Sequence, residues 1–408
     1  MGSKMNYFSA LYRFECKKLL GKRIVWISFG LLILISIFGL VGPLLGNHYI
    51  DGVLIDSNYG SYQTDKKYAE ALNGREINQS LLEETITAYR KIPEIPDKHY
   101  TGTEEYQKYA RPYSEIFNFI RKTSGMQTSE IMYSWQASED DLYAKRQKYL
   151  MSLWEDMRLS TGEIDFWREQ ESQIKTPYVY EEHSGYQNII SDYQMLGIFV
   201  LLFIAICLSG LFTDEHTRKT DQIVLCSPFG KTMLYWAKIT AGISFAAIST
   251  ILLLAFTFVS TICLYGPNGF QAAFQLLFTQ NSNPITCSQA VLIAFGNMII
   301  TAVIVSIIVM VLSEMLQSNI AALAVSTGFL ILPMIVQIPM QYRVPAQIWD
   351  WLPWNYLSRQ NVFGQYTISV FGHYFAPWQA VPVIYAASSV LIAAIGKPIY
   401  QRFQVSGR

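Results

Sequence analysis

Six long, almost uncharged apolar runs dominate this sequence and restrict the folds open to it. They cover about residues 24–46, 195–212, 235–264, 290–312, 320–340 and 380–396. A transmembrane helix needs about 20 apolar residues to cross about 30 Å of hydrocarbon, which is close to the length of these runs. Soluble folds rarely hold six such segments, so buried core helices of a soluble enzyme are the weaker alternative. The predicted fold class is an all-α polytopic membrane protein with six transmembrane helices.

Charged residues concentrate between the first two runs. The chain as a whole has no net charge, but residues 47–192 hold 25 acidic and 16 basic side chains. Segments with apolar stripes or helix-capping residues at their starts predict a mainly helical domain there. The predicted helices cover about 78–91, 104–122, 138–158 and 160–175. The first run is too long for a cleaved signal peptide, so we interpret it as a retained span.

The remaining segments are short and amphipathic or aromatic. Residues 5–22 carry apolar side chains at helical spacing, which predicts a helix in the membrane interface or packed on the protein. Residues 341–378 are rich in tryptophan and tyrosine, which favour the headgroup level, and prolines interrupt them. We expect short helices on or in the outer leaflet there. Residues 397–408 form a tail.

The distribution of Lys and Arg in the short connections predicts the orientation. Most of these residues lie in the N-terminal flank, in the connection between the second and third runs, and in the tail. The short connections on the opposite side hold only Arg343 and Arg359. Because cytoplasmic connections carry the excess of positive charge, both termini are expected in the cytoplasm and residues 47–192 outside. A plasma membrane, in a bacterium, is the expected location.

No motif in the sequence indicates catalysis, a metal site or nucleic-acid binding. Gly230-Lys231-Thr232 matches the end of a phosphate-binding loop, but Leu225 stands where that loop needs its first glycine. Neither an HExxH metal motif nor a GxSxG nucleophile motif occurs. The runs hold almost no ionisable groups: Lys238 lies at the start of the third and Glu314 at the end of the fourth. Ion-coupled transporters usually have such groups inside their spans, so the energy for any transport is expected to come from elsewhere.

Five cysteines occur without metal-binding spacing. Cys263 and Cys287 are both expected near the outer surface, where a disulfide can form. A bond between them and two unlinked thiols are both open alternatives.

The connection at residues 213–234 is the most informative segment. It begins with mixed charges, continues through an apolar stretch and reaches Ser227-Pro228. Serine suits a helix cap and proline suits the first helical turn, so a short helix is predicted to begin near Pro228. Such a helix in a cytoplasmic loop can dock on a soluble partner. A plain connecting loop is the alternative.

This segment resembles the loop after the second span in permeases of ATP-binding-cassette (ABC) transporters of the second exporter type. The matching residues, in order, are Phe212, Glu215, Thr220, Asp221, Leu225, Ser227, Pro228, Lys231 and Lys238. Lys219 and Ala237 replace two glycines of the family pattern. The order of spans and the outer insertion also resemble this family, in particular members from Gram-positive bacteria.

The resemblance implies a permease subunit without its own ATPase domain. Its expected partners are a cytoplasmic ABC ATPase subunit that binds ATP and Mg²⁺, a second permease subunit and membrane lipids, with no nucleic acid. The transported compound is expected to be hydrophobic or amphipathic, such as a peptide, lipid or drug. The expected ATPase-coupling residues are Glu215, Arg218, Lys219, Leu225, Pro228, Phe229 and Lys231. The alternative is a membrane-anchored sensor or immunity protein whose outer domain binds a ligand without transport.

Overall fold

The structure is a computed structural model that describes residues 2–50, 52–93, 100–135, 141–217 and 232–402. The described residues are mostly helical, and they divide into two compact units. The first unit comprises Met1–Ser36, Asp192–Phe258 and Ile293–Arg408. The second unit comprises Ile37–Ser191 and Val259–Leu292.

Five helical segments in the described residues are long and apolar enough to cross a membrane. They are Arg23–Leu44, Ser184–Glu215, Met233–Tyr265, Cys287–Leu316 and Pro377–Arg402. Each overlaps one of the six predicted spans. This confirms the prediction of a mainly helical membrane protein, whereas the count of six stays a prediction.

The predicted span at 320–340 is a shorter apolar helix in the structure, Asn319–Ile335, with Pro333 inside it. Its 17 residues extend about 26 Å, slightly less than the thickness of the hydrocarbon core. Proline lacks the backbone N–H and clashes with the preceding turn, so Pro333 weakens the last turns of this helix. Hydropathy alone does not show this effect.

The first unit contains an N-terminal helix, the main parts of the long helices and a chain of short elements. Its helices are α1 (Gly2–Leu20), α2 (Arg23–Val41), α9 (Ser184–Leu208), α10 (Gly210–Thr217), α11 (Met233–Tyr265), α13 (Cys287–Leu316), α14 (Asn319–Ile335), α15 (Arg343–Asp350), α16 (Pro353–Tyr356), α17 (Arg359–Val362) and α18 (Pro377–Arg402). Helices α2, α9, α11 and α13 also extend into the second unit. The short helices α15 to α17 agree with the interrupted segment expected at 341–378. A hairpin of strands β3 (Ile368–Val370) and β4 (His373–Phe375) follows them and was not predicted.

Glycines allow the helices of the first unit to approach closely. A Cβ atom at Gly242 of α11 would overlap the side chain of Met310 on α13. One at Gly396 of α18 would overlap the side chains of Tyr235 and Val311. Membrane helices gain stability from such close packing, because apolar lipid tails provide no hydrophobic driving force between them.

The second unit is mainly helical, as predicted for residues 47–192. Its helices are α3 (Asn58–Ala71), α4 (Gln79–Tyr89), α5 (Ser114–Ser124), α6 (Thr128–Tyr133), α7 (Leu142–Asp156), α8 (Thr161–Ser172) and α12 (Phe274–Leu277). Strands β1 (Asn47–Ile50) and β2 (Val53–Ser57) form an antiparallel hairpin before α3. The predicted helix at 104–122 contains a π-helical turn, a 3₁₀ turn and then α5, because Pro112 interrupts it.

Side-chain caps fix the starts of several helices in the second unit. Asn78 caps α4, and Ser160 caps α8 in a capping box with Glu163. Asp141 caps α7, while Ser138, the predicted start of that helix, lies outside the described residues. Helix α3, which Ser57 caps, was not predicted from the sequence.

A buried arginine joins α7 to the stretch at residues 266–288. Arg146 is 3% exposed. Its Nε and Nη2 donate to the carbonyl oxygens of Thr279 and Asn281, both at 2.7 Å. Its Nη1 pairs with Glu171 of α8. The stretch is therefore packed into the second unit through its backbone carbonyls.

Replacing Arg146 with Ala should destabilise the second unit strongly. It leaves Glu171 and two buried carbonyls without their donor, and breaking a buried pair costs about 3–5 kcal/mol. The matched control is Arg168→Ala, which removes an exposed pair with Asp165 worth about 0–1 kcal/mol. Thermal unfolding of both variants in detergent is the measurement. Equal losses of stability would contradict the assignment of Arg146.

Candidate functional site

The candidate site lies where α10 enters the connection at residues 213–234, next to α1. Four ionisable side chains, Glu15, Lys18, Glu215 and Lys238, form what we call the buried charge cluster. They come from α1, α10 and α11, so three separate parts of the sequence meet there. All four belong to the first unit.

Lys238 is the most deeply buried member of the cluster, with none of its surface exposed. Its Nζ lies 2.7 Å from Oε1 of Glu215 and donates to the carbonyl oxygen of Leu211 at 3.0 Å. The same ammonium group lies 5.0 Å from the ring centre of Phe212. A buried ammonium is tolerated only when it is paired and hydrogen-bonded. Lys238 therefore fixes the start of α11 to α10.

Helix α1 supplies the other half of the cluster. Nζ of Lys18 lies 3.2 Å from Oε1 of Glu215 and 3.7 Å from Oε2 of Glu15. Glu15 is only 1% exposed. Burial raises the pKa of its carboxyl group above the usual value, and the ammonium groups of Lys238 and Lys18 oppose that rise. The cluster carries two acidic and two basic groups, so its charges balance.

A second, more exposed ion pair stands beside the cluster. Lys22, between α1 and α2, places its Nζ 2.7 Å from Oδ2 of Asp214. The side chains of Lys22 and Asp214 are each about a quarter exposed, whereas that of Lys238 is fully buried. Consecutive acidic residues on α10 therefore each contact a lysine of the N-terminal segment.

Helix α18 contacts the chain where it returns from the connection. Nε2 of Gln401 donates to the hydroxyl of Thr232 at 2.8 Å. The hydroxyl of Tyr235 donates to the carbonyl oxygen of Ala393 at 2.6 Å. The rings of Phe212, Tyr235 and Tyr400 pack together with centres 5.6–5.8 Å apart. The two described ends of the connection are therefore held by α1 and α18.

The break between α9 and α10 is also fixed by side chains. Ser209 lies in this break, and its hydroxyl donates to Oδ1 of Asn319 at the start of α14. The hydroxyl of Ser313 on α13 donates to the carbonyl oxygen of Ser209 at 2.5 Å. Five helices of the first unit thus contact the short stretch that leads into the connection: α1, α11, α13, α14 and α18.

The structure describes only part of the predicted coupling site. Glu215 lies in the buried charge cluster. The other predicted residues lie outside the described residues: Arg218, Lys219, Leu225, Pro228, Phe229 and Lys231. Sequence reasoning noted Lys238 as an ionisable residue at the start of an apolar run but did not identify Glu215 as its partner. Glu15 and Asp214 were missed, because no local spacing shows that α1 returns to α10.

Cys263 and Cys287 are both free thiols in the structure. Cys263 is exposed, whereas Cys287 is buried and its Sγ donates to the carbonyl oxygen of Ala273 at 3.6 Å. The bond between them that the sequence allows stays a prediction.

An apolar groove of about 160 Å³ lies among α1, α2, α9 and α11. Its lining includes Leu19, Phe29, Phe203, Phe245, Ile248 and Leu252. The indole Nε1 of Trp26 donates to the carbonyl oxygen of Leu20 at 2.7 Å, which fixes the corner between α1 and α2. The groove offers almost entirely apolar surface, as a site for an acyl chain or another hydrophobic group would.

Comparison with known proteins identifies the family. No curated protein and no solved structure shows significant similarity to this chain. Residues 9–389 match the sequence model of the family described as ABC-2 family transporter protein. This match covers most of the chain, including the larger part of α1, the buried charge cluster and the connection at residues 213–234. The chain therefore belongs to the ABC-2 family of transporter proteins and is a membrane component of an ABC transporter.

Proposed function

We propose that this chain is the permease subunit of an ATP-driven exporter and that residues 214–234 couple it to the ATPase. The observation that carries this proposal is the buried charge cluster. Glu215 and Lys238 are paired where the chain enters the inner connection and where it has just left it. A contact on this connection therefore acts on α10 and α11 together.

The proposed partner is a cytoplasmic ABC ATPase that binds ATP and Mg²⁺. Closure of the ATPase subunits on ATP would displace the connection, and the paired helix ends would transmit the displacement to α9 and α11. Such transmission requires packed elements with alternative arrangements rather than a flexible loop. The ion pairs to α1 and the contact with α18 would carry the same displacement to both ends of the chain.

The remaining features of the proposal are the assembly and its orientation. A second permease subunit, identical or different, would complete the translocation path, as the family resemblance implies. Both termini would lie in the cytoplasm and residues 47–192 outside, as the Lys and Arg distribution predicts. The plasma membrane of a bacterium is the proposed location.

The proposed cargo is a hydrophobic or amphipathic compound, such as a peptide, lipid or drug, of which the apolar groove could take an acyl chain or one small hydrophobic group. Its lining presents aromatic and aliphatic side chains and little polar surface.

Among the described residues, the structure has no group of three or more His, Cys, Asp or Glu side chains placed to hold a metal ion. The sensor or immunity protein is not favoured, because membership of the transporter family implies an ATPase partner.

Changing Leu225 and Phe229 together to Asp should abolish binding of the ATPase. Buried apolar anchors dominate interface energies, and two carboxylates would have to be buried in the same contact. Co-purification of the ATPase with the tagged permease is the measurement. The control is Tyr133→Asp with Tyr149→Asp, which adds the same charge at exposed positions of the second unit. Normal ATPase recovery with the first double variant would refute the proposed contact.

Replacing Glu215 with Gln should lower the stability of the permease and its response to ATP. It leaves the fully buried Lys238 without its closest carboxylate, which costs about 3–5 kcal/mol. Asp214→Asn is the matched control, because it removes the neighbouring, more exposed pair and should cost about 0–1 kcal/mol. Thermal unfolding and cargo-stimulated ATP hydrolysis are the measurements. Similar results for both variants would show that the cluster has no special role.

The orientation can be tested with single cysteines in a chain whose native cysteines are replaced by serine. A cysteine at Ser172, an exposed position on α8, should react with a membrane-impermeant maleimide added to whole cells. A cysteine at Ser406 in the tail should react only after the membrane is permeabilised. The reverse pattern would contradict the proposed topology.

A further inference from the structure

The hairpin of β3 and β4 has an unusual residue at its tip. Val370 pairs with His373, so the turn contains only Phe371 and Gly372. Both have positive φ angles, 51° and 83° respectively. Two-residue hairpin turns of this kind favour Asn-Gly or Gly-Gly, because a positive φ is strained for a bulky side chain. Phenylalanine is therefore an unfavourable choice for the turn itself.

The packing of the hairpin does not compensate for this strain. Phe371 is 99% exposed, the highest exposure of any large apolar residue described in the chain. Its neighbours Val370 and Phe375 are 43% and 38% exposed. Strained residues persist where they serve a function, and here the ring gains no burial among the described residues. The benefit of Phe371 therefore lies outside the described residues.

The sequence around the hairpin indicates that its tip contacts a lipid surface. No Asp, Glu, Lys or Arg occurs from residue 360 to residue 396. A single residue, Ala376, separates the hairpin from α18, a helix long and apolar enough to cross the membrane. The exposed face of α18 continues with Val383, Val390 and Leu391, each more than 60% exposed. The tip therefore adjoins a span whose surface is suited to lipid.

We propose that Phe371 is a membrane anchor whose ring enters the bilayer at the boundary between headgroups and acyl chains. The rigid two-residue turn holds the ring away from the hairpin, and the neighbouring Val370 and Phe375 add apolar surface. This contact fixes the depth of the hairpin and of the start of α18. Aromatic residues favour this level of the bilayer, and Trp349, Trp351 and Trp378 lie in the same segment of the chain.

The test uses a nitroxide label on Val370→Cys in lipid vesicles, with all five native cysteines replaced by serine. Collision with oxygen reports a lipid environment, and collision with a water-soluble nickel chelate reports an aqueous one. We expect the label to collide with oxygen and to be shielded from nickel several-fold relative to a label at Ser172→Cys on α8. Phe371→Asn should make the label at position 370 as accessible to nickel as the control, while Phe371→Trp should preserve the shielding.

Three outcomes would overturn the proposal. The label at position 370 could be as accessible to nickel as the control, which would place the tip in water. It could be shielded from both reagents, which would indicate a protein contact such as a second copy of the chain. Phe371→Asn could leave the shielding unchanged. Asn tolerates a positive φ, so this variant should unfold at the same temperature as the parent chain or at a higher one, which excludes misfolding as the cause of a change.

Discussion

The ion pair between Lys238 and Glu215 constrains the part of the first unit where α1, α10 and α11 meet. A fully buried ammonium group requires a carboxylate and further acceptors, and the chain meets this requirement with Glu215 and the carbonyl oxygen of Leu211. Lys18 then shares the same carboxylate and fixes α1. Because a broken pair is much less stable than an intact one, α1, α10 and α11 are expected to move together rather than separately.

This arrangement suits a subunit that receives force from a separate ATPase. Permeases of this family typically lack an ATPase domain of their own, and in the proposed mechanism the mechanical input arrives through residues 214–234. A loop with free ends would absorb a displacement, whereas paired ends transmit it. In the second unit, Arg146 similarly fixes the 279–281 stretch through its backbone carbonyls, so buried charge stabilises both units.

The long helices could be predicted from the sequence, because an apolar run of about twenty residues rarely adopts any other structure than a membrane-spanning helix. Helices with clear caps, such as α4 and α8, could be predicted as well. The sequence did not predict α3, whose residues are polar and lack an apolar stripe. The β3–β4 hairpin was missed because its turn residue is Phe371 rather than Asn. The contacts of Glu15 and Lys18 with Glu215 and Lys238 join parts of the chain that are 197 residues apart at Lys18 and Glu215, and no local pattern contains that information. Only the isolated lysine in an apolar run gave a signal, since such a residue needs a partner.

The most direct test of the central claim separates coupling from stability. Glu215→Gln combined with Lys238→Met removes both charges of the pair, a change that is often neutral for stability because no buried charge is left unpaired. The measurement is the number of ATP molecules hydrolysed for each molecule of cargo transported, in proteoliposomes that contain the permease and its ATPase. We predict a complex that assembles and unfolds normally but hydrolyses many more ATP molecules per cargo molecule than the parent. An unchanged ratio would contradict the claim that this ion pair couples the ATPase to the spans.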